Sequence, residues 1–331
     1  MRRRALKRSV KIALMAIAAL VLAPPARAQD RAQDYPNKVI RIVVPFAAGG
    51  AVDAVARTMA RHFAERLGQQ VYVENRPGAS GNIGAEAVVQ AVPDGYTLLV
   101  SASTLIVNPV VSAERASFDP LKDLTQLALI AKGPLLFIVN PSVADSVQDF
   151  VAKARAKPEA FNFATGGYGS AGHMAAESFK LRAGFNIPVV LYKGTGPAFN
   201  DLVGGHISGI MDPLLTSLPL AQGKKATGLA IASPARSPLA PDVPTFAEAG
   251  FPGFEFYTWY GLWAPAKLPA DITDKIHQTL TEIGASTDAR KWFESQGLDY
   301  SGVGGTPFRE FSLREQALYD EIVKKGNIAR Q

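Results

Sequence analysis

Residues 39–67 read VIRIVVPFAAGGAVDAVARTMARHFAERL. The first six residues are mostly β-branched and apolar, which is typical of a buried strand. Pro45 ends this strand, and Gly49 and Gly50 form a short turn. Beyond the turn, apolar residues recur at the spacing of one helix face; they are Val52, Val55, Met59, Phe63 and Leu67. The stretch therefore predicts a strand, a glycine-rich turn and a helix, which is the repeating unit of an α/β sheet.

The same unit recurs along the chain. Short β-branched runs predict further strands at residues 71–73, 97–101, 161–164, 187–192 and 207–211. Helical spacing predicts helices at residues 82–90, 146–155, 173–181, 197–203, 271–283 and 307–324. This alternation predicts two successive α/β units, each with parallel strands.

Two segments are candidates for connections between these units. In residues 127–139, two apolar runs flank Lys132-Gly133-Pro134, so we expect a strand that leaves one domain and enters the other. Residues 234–269 are rich in proline and aromatic residues. That composition is expected of a chain that returns to its first domain, but a long surface loop packed through its aromatic side chains would share it.

The N-terminus has the pattern of a secretory signal. Six Lys and Arg residues fall within the first 11 positions, residues 12–23 are apolar, and Ala26-Arg27-Ala28 fits a cleavage site. The apolar run is shorter than the roughly 20 residues that a bilayer span needs. We therefore expect residues 1–28 to be removed as a signal peptide and the remaining chain to be periplasmic. The pair Arg2-Arg3 leaves open whether export uses the general secretory or the twin-arginine route.

Charge and cysteine content exclude several classes of function. The chain has 35 basic and 29 acidic residues, but residues 1–28 hold seven of the basic ones and none of the acidic ones. The remaining 28 basic and 29 acidic residues give no reason to expect nucleic-acid binding. There is no cysteine, which excludes disulfides and thiol catalysis, and the four histidines are scattered. We expect no metal site and no cofactor.

Three glycine-rich turns, at residues 45–50, 165–170 and 192–196, each follow a predicted strand and precede a predicted helix. Such turns let backbone N–H groups approach a ligand, and a helix N-terminus favours an anion. Glycines here can equally serve only to allow a tight connection. Two of these turns facing each other across a cleft would suit a molecule with a carboxylate at one or both ends.

Patterns typical of enzymes are weak in this chain. Gly167, Gly169 and Gly172 match a dinucleotide-binding fingerprint. That fingerprint requires an acidic residue about 20 positions later, near Tyr192, and no acidic residue stands there. The Gly-x-Ser-x-Gly pattern of many hydrolases is absent. We therefore expect a protein that is not an enzyme.

Three polar side chains beside the turns are candidates for a functional role. Asp53, in the first helical turn, can complement the helix dipole, order the Gly49-Gly50 turn or accept a hydrogen bond from a ligand. Asp212, at the end of a predicted strand, raises the same question. His173 stands at a helix start beside the second turn.

Several motifs, taken in order, resemble those of the Bug family, the extracytoplasmic receptors of tripartite tricarboxylate transporters. The resemblance covers nearly all of the chain after residue 28. It rests on Ile42-Val43-Val44-Pro45-Phe46 with Gly49-Gly50 and Asp53, Glu74-Asn75-Arg76-Pro77-Gly78-Ala79, Asp94-Gly95-Tyr96, Asn108-Pro109, Gly169-Ser170-x-x-His173, Tyr192-Lys193-Gly194 and Asp242-Val243-Pro244-Thr245.

The resemblance implies an α/β fold of two domains, the type II periplasmic-binding-protein or Venus-flytrap fold, with two interdomain crossings. We expect residues 29–130 and 250–331 in domain 1 and residues 131–249 in domain 2. The implied function is a monomeric periplasmic receptor for a di- or tricarboxylate, an acidic amino acid or an aromatic acid. It would deliver this ligand to the membrane permease subunits of a tripartite tricarboxylate transporter. A ligand-sensing partner of a membrane kinase and a periplasmic carboxylate-processing enzyme remain as alternatives.

The resemblance also implies that the ligand carboxylate is held by neutral hydrogen-bond donors, partly through ordered water. The absence of arginine from the three turns agrees with this expectation. The expected ligand-binding residues are Phe46, Ala47, Gly49, Gly50, Asp53, Ser103, Thr104, Tyr168, Gly169, Ser170, His173, Tyr192, Lys193, Gly194 and Asp212. We also expect Leu105-Ile106-Val107 to form an apolar edge of the cleft, which would favour an aromatic or longer-chain acid over citrate.

Overall fold

A computed structural model describes residues 35–111 and 117–325 of the chain. The predicted signal peptide, residues 1–28, lies outside these ranges and stays a prediction. No helix in the described ranges combines the length and the apolar character needed to cross a bilayer.

Strands and helices alternate along most of the described chain. The strands are β1 (Ile40–Val44), β2 (Val71–Asn75), β3 (Thr97–Ala102), β4 (Leu124–Val139), β5 (Phe163–Thr165), β6 (Val189–Leu191), β7 (Gly209–Pro213), β8 (Thr227–Ile231), β9 (Tyr257–Pro265) and β10 (Asp299–Gly304). The helices are α1 (Ala51–Leu67), α2 (Asn82–Val89), α3 (Thr104–Val111), α4 (Val147–Ala156), α5 (Ala171–Ala183), α6 (Thr195–Val203), α7 (Leu214–Gln222), α8 (Ala270–Ala285), α9 (Thr287–Ser295) and α10 (Gly305–Lys325).

Strand β4 belongs to two groups of strands. Residues 124–134, its first part, pair with β9 and β10, and residues 135–139, its second part, pair with β7 and β8; these parts are called its first and second half below. We call the group β1, β2, β3, β9 and β10 with the first half of β4 lobe 1, and the group β5 to β8 with the second half of β4 lobe 2. The strand predicted at residues 127–139 is therefore confirmed, and it begins three residues earlier, at Leu124.

Parallel pairing is confirmed in both lobes, but each lobe is mixed rather than purely parallel. β1 pairs in parallel with β2 and β3, and β5 pairs in parallel with β6 and β7. β9 is antiparallel to both β3 and β4. β9 lies in the aromatic segment for which the sequence analysis allowed two interpretations, a chain that returns to its first domain or a long surface loop. Trp259, Tyr260 and Trp263 are buried there, as expected for an apolar run covered on both faces.

Helices α3, α7 and α9 were not predicted. The first two contain Pro109 and Pro219, and proline normally interrupts a helix. The expectation that Leu105-Ile106-Val107 forms an apolar cleft edge is wrong. All three residues lie in α3 and are at most 5% exposed, and they pack into hydrophobic clusters with residues such as Trp259. Apolar character here reflects core packing and not ligand preference.

The core of lobe 2 is a cluster of phenylalanine rings. Phe137 on β4 has its ring centroid 5.0–6.2 Å from four other rings; these belong to Phe150, Phe163, Phe179 and Phe246. All five side chains are at most 1% exposed. Such edge-to-face and stacked pairs add stability beyond the area that they bury.

Replacing Phe137 with alanine should lower the free energy of unfolding by about 3–5 kcal/mol, because the cavity left in this cluster cannot collapse fully. Urea unfolding followed by circular dichroism measures the loss. Leu181→Ala is the matched control, since Leu181 lies on α5 but is 57% exposed. Equal effects of the two substitutions would contradict the central position assigned to Phe137.

Candidate functional site

A cavity of about 580 Å³ lies where the turns of both lobes meet. Lobe 1 lines it with the turn and helix start at residues 46–53, with Thr104 and with Tyr260 of β9. Lobe 2 lines it with the ends of β5 and β7 and with the starts of α5 and α6. Part of this volume is open to solvent.

Three helices direct their N-termini at this cavity. The residues that precede α1, α5 and α6 are Gly50, Ser170 and Gly194, and all three line it. The first N–H groups of a helix have no carbonyl partner within the helix, and they carry a partial positive charge. The arrangement therefore offers neutral hydrogen-bond donors from both lobes to a bound anion.

The first and third turns contact each other directly. The Ala47 amide donates a hydrogen bond to the Lys193 carbonyl oxygen over 2.8 Å. Gly194 has a φ of +122°, a backbone conformation that residues with a side chain rarely adopt. A Cβ added at Gly196 would lie 2.4 Å from the Ala48 carbonyl oxygen. Glycine at this position is therefore required for the close approach of the two lobes.

Asp53 orders the first turn. Its carboxylate accepts hydrogen bonds from the Gly49 amide at 3.1 Å, from Arg57 Nε at 3.0 Å and from Asn75 Nδ2 at 3.0 Å. Burial by itself would raise the pKa of Asp53, but the hydrogen bonds from Arg57, Asn75 and Gly49 outweigh it, so that this pKa is lowered. Asp53 is therefore a stable anion, and its charge is balanced by partners within lobe 1.

Ser170 and His173 organise the second turn. Ser170 Oγ accepts from the His173 amide at 3.1 Å and lies 2.9 Å from Thr165 Oγ1. His173 Nδ1 accepts from the Gly169 amide at 3.3 Å. Burial, with a smaller effect of Lys180, lowers the pKa of His173 to about 4. The imidazole is neutral at physiological pH, and it lines a neighbouring cavity with Tyr168 rather than the main one.

Asp212 is the second carboxyl group of the main cavity. It lies at the end of β7, is 3% exposed and accepts a hydrogen bond from Thr216 Oγ1 at 2.5 Å. Burial raises the pKa of Asp212 to about 7, although hydrogen bonds from Thr216 and Thr195 act in the opposite direction. Among the described residues that line this cavity, none is lysine, arginine or histidine.

The expected site residues divide into two sets. Those that line the main cavity are Phe46, Ala47, Gly50, Asp53, Thr104, Ser170, Gly194 and Asp212. Those that lie beside or behind its lining are Gly49, Ser103, Tyr168, Gly169, His173, Tyr192 and Lys193. In the second set, the Tyr192 hydroxyl is bound to Asp201, and Lys193 contributes a carbonyl oxygen to the contact between the turns.

Several lining residues were not singled out from the sequence. Thr165, Gly166 and Thr195 belong to the glycine-rich turns, so the position of the turns was the available signal. Thr258 and Tyr260 reach the cavity only because β9 pairs with β3 and β4. Their position depends on a long-range pairing for which the sequence gives no local signal.

Comparison with known proteins shows one family and one fold. Residues 55–327 match the family model described as "Tripartite tricarboxylate transporter family receptor". The chain is similar to the solved structure of the periplasmic binding protein BugD, with 28% identity, a TM-score of 0.85 and coverage of 90% of this chain and 100% of that one.

Two further solved structures hold carboxylic acids. R. palustris Rpa4515 with adipate has 32% identity, a TM-score of 0.86 and coverage of 89% of this chain and 99% of that one. MatC (Rpa3494) from Rhodopseudomonas palustris with bound malate has 29% identity, a TM-score of 0.81 and coverage of 87% and 100%. These neighbours show the two-domain fold that the ordered motifs imply.

The two aspartates of the cavity should affect stability in opposite directions as the pH changes. The folded-state pKa of Asp212 is raised, so its contribution to stability is fully present below about pH 4 and is lost as the pH rises to about 7. Relative to Asp212→Asn, the wild-type protein should therefore lose at most about 4 kcal/mol over this range, at about 1.4 kcal/mol for each pKa unit. Thermal melts at intervals from pH 4 to pH 8 measure the difference.

Asp53→Asn is the matched control. The pKa of Asp53 is lowered in the folded state, so its contribution is present at neutral pH and is lost only as the pH falls below about 4. If the difference in stability between the wild-type protein and Asp212→Asn stays constant from pH 4 to pH 8, Asp212 does not lie in a buried environment without a counter-ion.

Proposed function

The chain belongs to the tripartite tricarboxylate transporter receptor family. On that premise we propose that it is a periplasmic receptor that binds a small carboxylate between its two lobes. It would deliver this ligand to the membrane subunits of such a transporter. One observation carries the proposal. The N-termini of α1, α5 and α6, from both lobes, border one cavity in which no described lining residue is cationic.

Carboxylate is the ligand chemistry that suits these donors. Backbone N–H groups at helix starts bind anions without a charged side chain, and hydrogen bonds to a charged acceptor are stronger than those between neutral groups. Adipate and malate, held by two structures of the same fold, are both small carboxylic acids. The residues that we assign to the carboxylate are the lining residues of the three turns, with Asp53 holding the first turn in shape.

Capture is proposed to occur by closure of the lobes. We assign residues 29–130 and 250–331 to one domain and residues 131–249 to the other. The contact of Ala47 with Lys193 and the 3.0 Å hydrogen bond from the Tyr168 amide to Ser80 Oγ join the two lobes. A ligand that bonds to both helix starts would favour this closed arrangement, because those bonds exist only when the lobes are together.

A thermal-shift screen tests the function. The purified protein is first unfolded and refolded to remove any bound ligand, and is then melted with adipate, malate, citrate, glutamate and benzoate. An acid present at 100 times its dissociation constant should add about 2.7 kcal/mol to the free energy of unfolding and raise Tm visibly. Asp53→Asn should weaken the shift, because its amide cannot accept all the donors that order the turn.

The outcome also separates the competing functions. A bound acid that is recovered chemically unchanged, as shown by NMR of the mixture, supports a receptor over a processing enzyme. Stimulated uptake by membranes that contain the permease subunits supports transport over sensing. If none of the acids raises Tm, the carboxylate assignment is wrong.

Replacing Gly196 with alanine tests closure. The new Cβ would lie 2.4 Å from the Ala48 carbonyl oxygen, so the two turns must separate. We expect at least a tenfold weaker affinity for the bound acid in calorimetric titration, with Tm of the free protein little changed. Gly228→Ala is the control, since its Cβ would meet only side chains at 3.5 Å or more. Unchanged affinity in Gly196→Ala would show that closure of these turns does not contribute to binding.

A further inference from the structure

Asp212 is a buried acid inside a cavity that we propose to bind another acid. It lies in β7 beside the start of α6, where the hydroxyl of Thr195 is a hydrogen-bond partner. A ligand carboxylate at the same helix start would compete with Asp212 for the same donors. Two carboxylates that share one site cannot both ionise without a large cost, because like charges disfavour each other.

No cation on the elements around Asp212 offsets its charge. Strands β5 and β7 and helix α7 contribute no other titratable residue. The titratable groups on the remaining elements are Asp53, Arg57, Arg61, His62, Glu65 and Arg66 of α1, Lys132 of β4, His173, Glu177, Lys180 and Arg182 of α5, Asp201 of α6 and Tyr257 and Tyr260 of β9.

Of those groups, only Asp53 and Tyr260 line the cavity with Asp212. Asp53 is an anion bound by Arg57, and burial raises the pKa of Tyr260 well above 10, so that the phenol stays neutral. His173, Glu177 and Lys180 line the neighbouring cavity instead. An ionised Asp212 would therefore be a buried charge without a counter-ion, which is costly.

The protonated form of Asp212, in contrast, has a complete set of partners. Thr216 Oγ1 lies 2.5 Å from Asp212 Oδ2 and 3.2 Å from the Pro213 carbonyl oxygen. A carboxylic acid at Asp212 can donate to the Thr216 hydroxyl, which in turn donates to the Pro213 carbonyl. A threonine hydroxyl both donates and accepts, so this chain needs no other group. Thr216 and Thr195 can also donate to the anion, but only the neutral acid satisfies this arrangement without a buried charge that lacks a counter-ion.

We propose that Asp212 holds a proton when an anionic ligand is bound, so that capture of a carboxylate takes up a proton from solution and release returns it. The inference rests on the proposed function, because it needs a carboxylate in the cavity. No covalent bond changes: the proton comes from bulk solvent and resides on the carboxyl group of Asp212. A protonated Asp212 offers no counter-ion to an ammonium group, so Asp212 is then a specificity-determining residue that favours acids without one.

Proton uptake should make the heat of binding depend on the buffer and the dissociation constant depend on pH. Calorimetric titrations with adipate, malate, citrate, glutamate and benzoate in phosphate and in Tris at pH 7.5 give the number of protons from the difference in heat between the buffers. We expect between half a proton and one proton bound for each acid that binds. Above the pKa of the free protein, the dissociation constant should rise about tenfold for each pH unit, as linkage of one proton requires.

Two variants isolate Asp212. Asp212→Asn has nearly the same shape and is permanently neutral, so it should bind the same acids without proton uptake and with a dissociation constant that is flat from pH 7 to pH 9. Asp53→Asn should bind more weakly but keep the proton uptake. If Asp212→Asn does not fold, Thr216→Val tests the same point, since loss of the acceptor for the proton should reduce the uptake at pH 7.5.

The outcomes distinguish the inference from the function. An acid that binds the wild-type protein without proton uptake, and with an affinity independent of pH, overturns the inference and leaves the receptor function standing. Glutamate bound alone among the acids and without uptake would show that an ionised Asp212 pairs with an ammonium group, which also overturns it. If no acid binds, both the function and the inference are overturned.

Discussion

Strand β4 is the constraint on which the rest of the structure depends. Its 16 residues are hydrogen-bonded to β9 and β10 at one end and to β7 and β8 at the other, so one strand is shared by both lobes. Strand β1 of lobe 1 and strands β5 and β6 of lobe 2 each lead into one of the three glycine-rich turns. Because the lobes share β4, the turn after β1 and the turns beside α5 and α6 meet across one cavity, where a single small molecule can contact all of them.

The chemistry of that cavity depends on how two similar side chains are surrounded. Asp53 and Asp212 are both at most 5% exposed, yet the pKa is lowered for one and raised for the other. The difference is the supply of partners: Arg57, Asn75 and the Gly49 amide surround Asp53, whereas two hydroxyls are the partners of Asp212. Environments that separate the pKa values of neighbouring acids divide their roles. Here Asp53 organises backbone donors, and Asp212 is the acid that we propose to change its protonation when a ligand enters the cavity.

Local sequence patterns predicted much of the fold because the relevant interactions are local. The spacing of apolar residues and the positions of glycine in turns predict the strand, turn and helix of residues 39–67. They also predict strands in each lobe. Long-range pairing was not predictable in the same way. Tyr260 reaches the cavity through the antiparallel pairing of β9, and Leu105-Ile106-Val107 turn inward because α3 forms despite Pro109. Asp212 was recognisable as a strand-end acid, but its missing counter-ion is a property of all the elements around it.

A cavity lined without cations selects ligands differently from one built around an arginine. A fixed cation attracts any anion over a long range, and this attraction weakens as salt screens it. Helix-start amides act only at hydrogen-bond distance and in defined directions, so the fit of the carboxylate decides the affinity. Such a site would gain little from nonspecific anions, and in the proposed mechanism it releases its ligand when the lobes part, since the donors from α1 and α6 then separate. An acid such as Asp212 sharpens the selection further, because each additional negative charge beside it requires either a proton or an escape to solvent. If Asp212 takes up a proton as we propose, the number of charges on a ligand, and not only its shape, determines which molecules the two lobes can enclose.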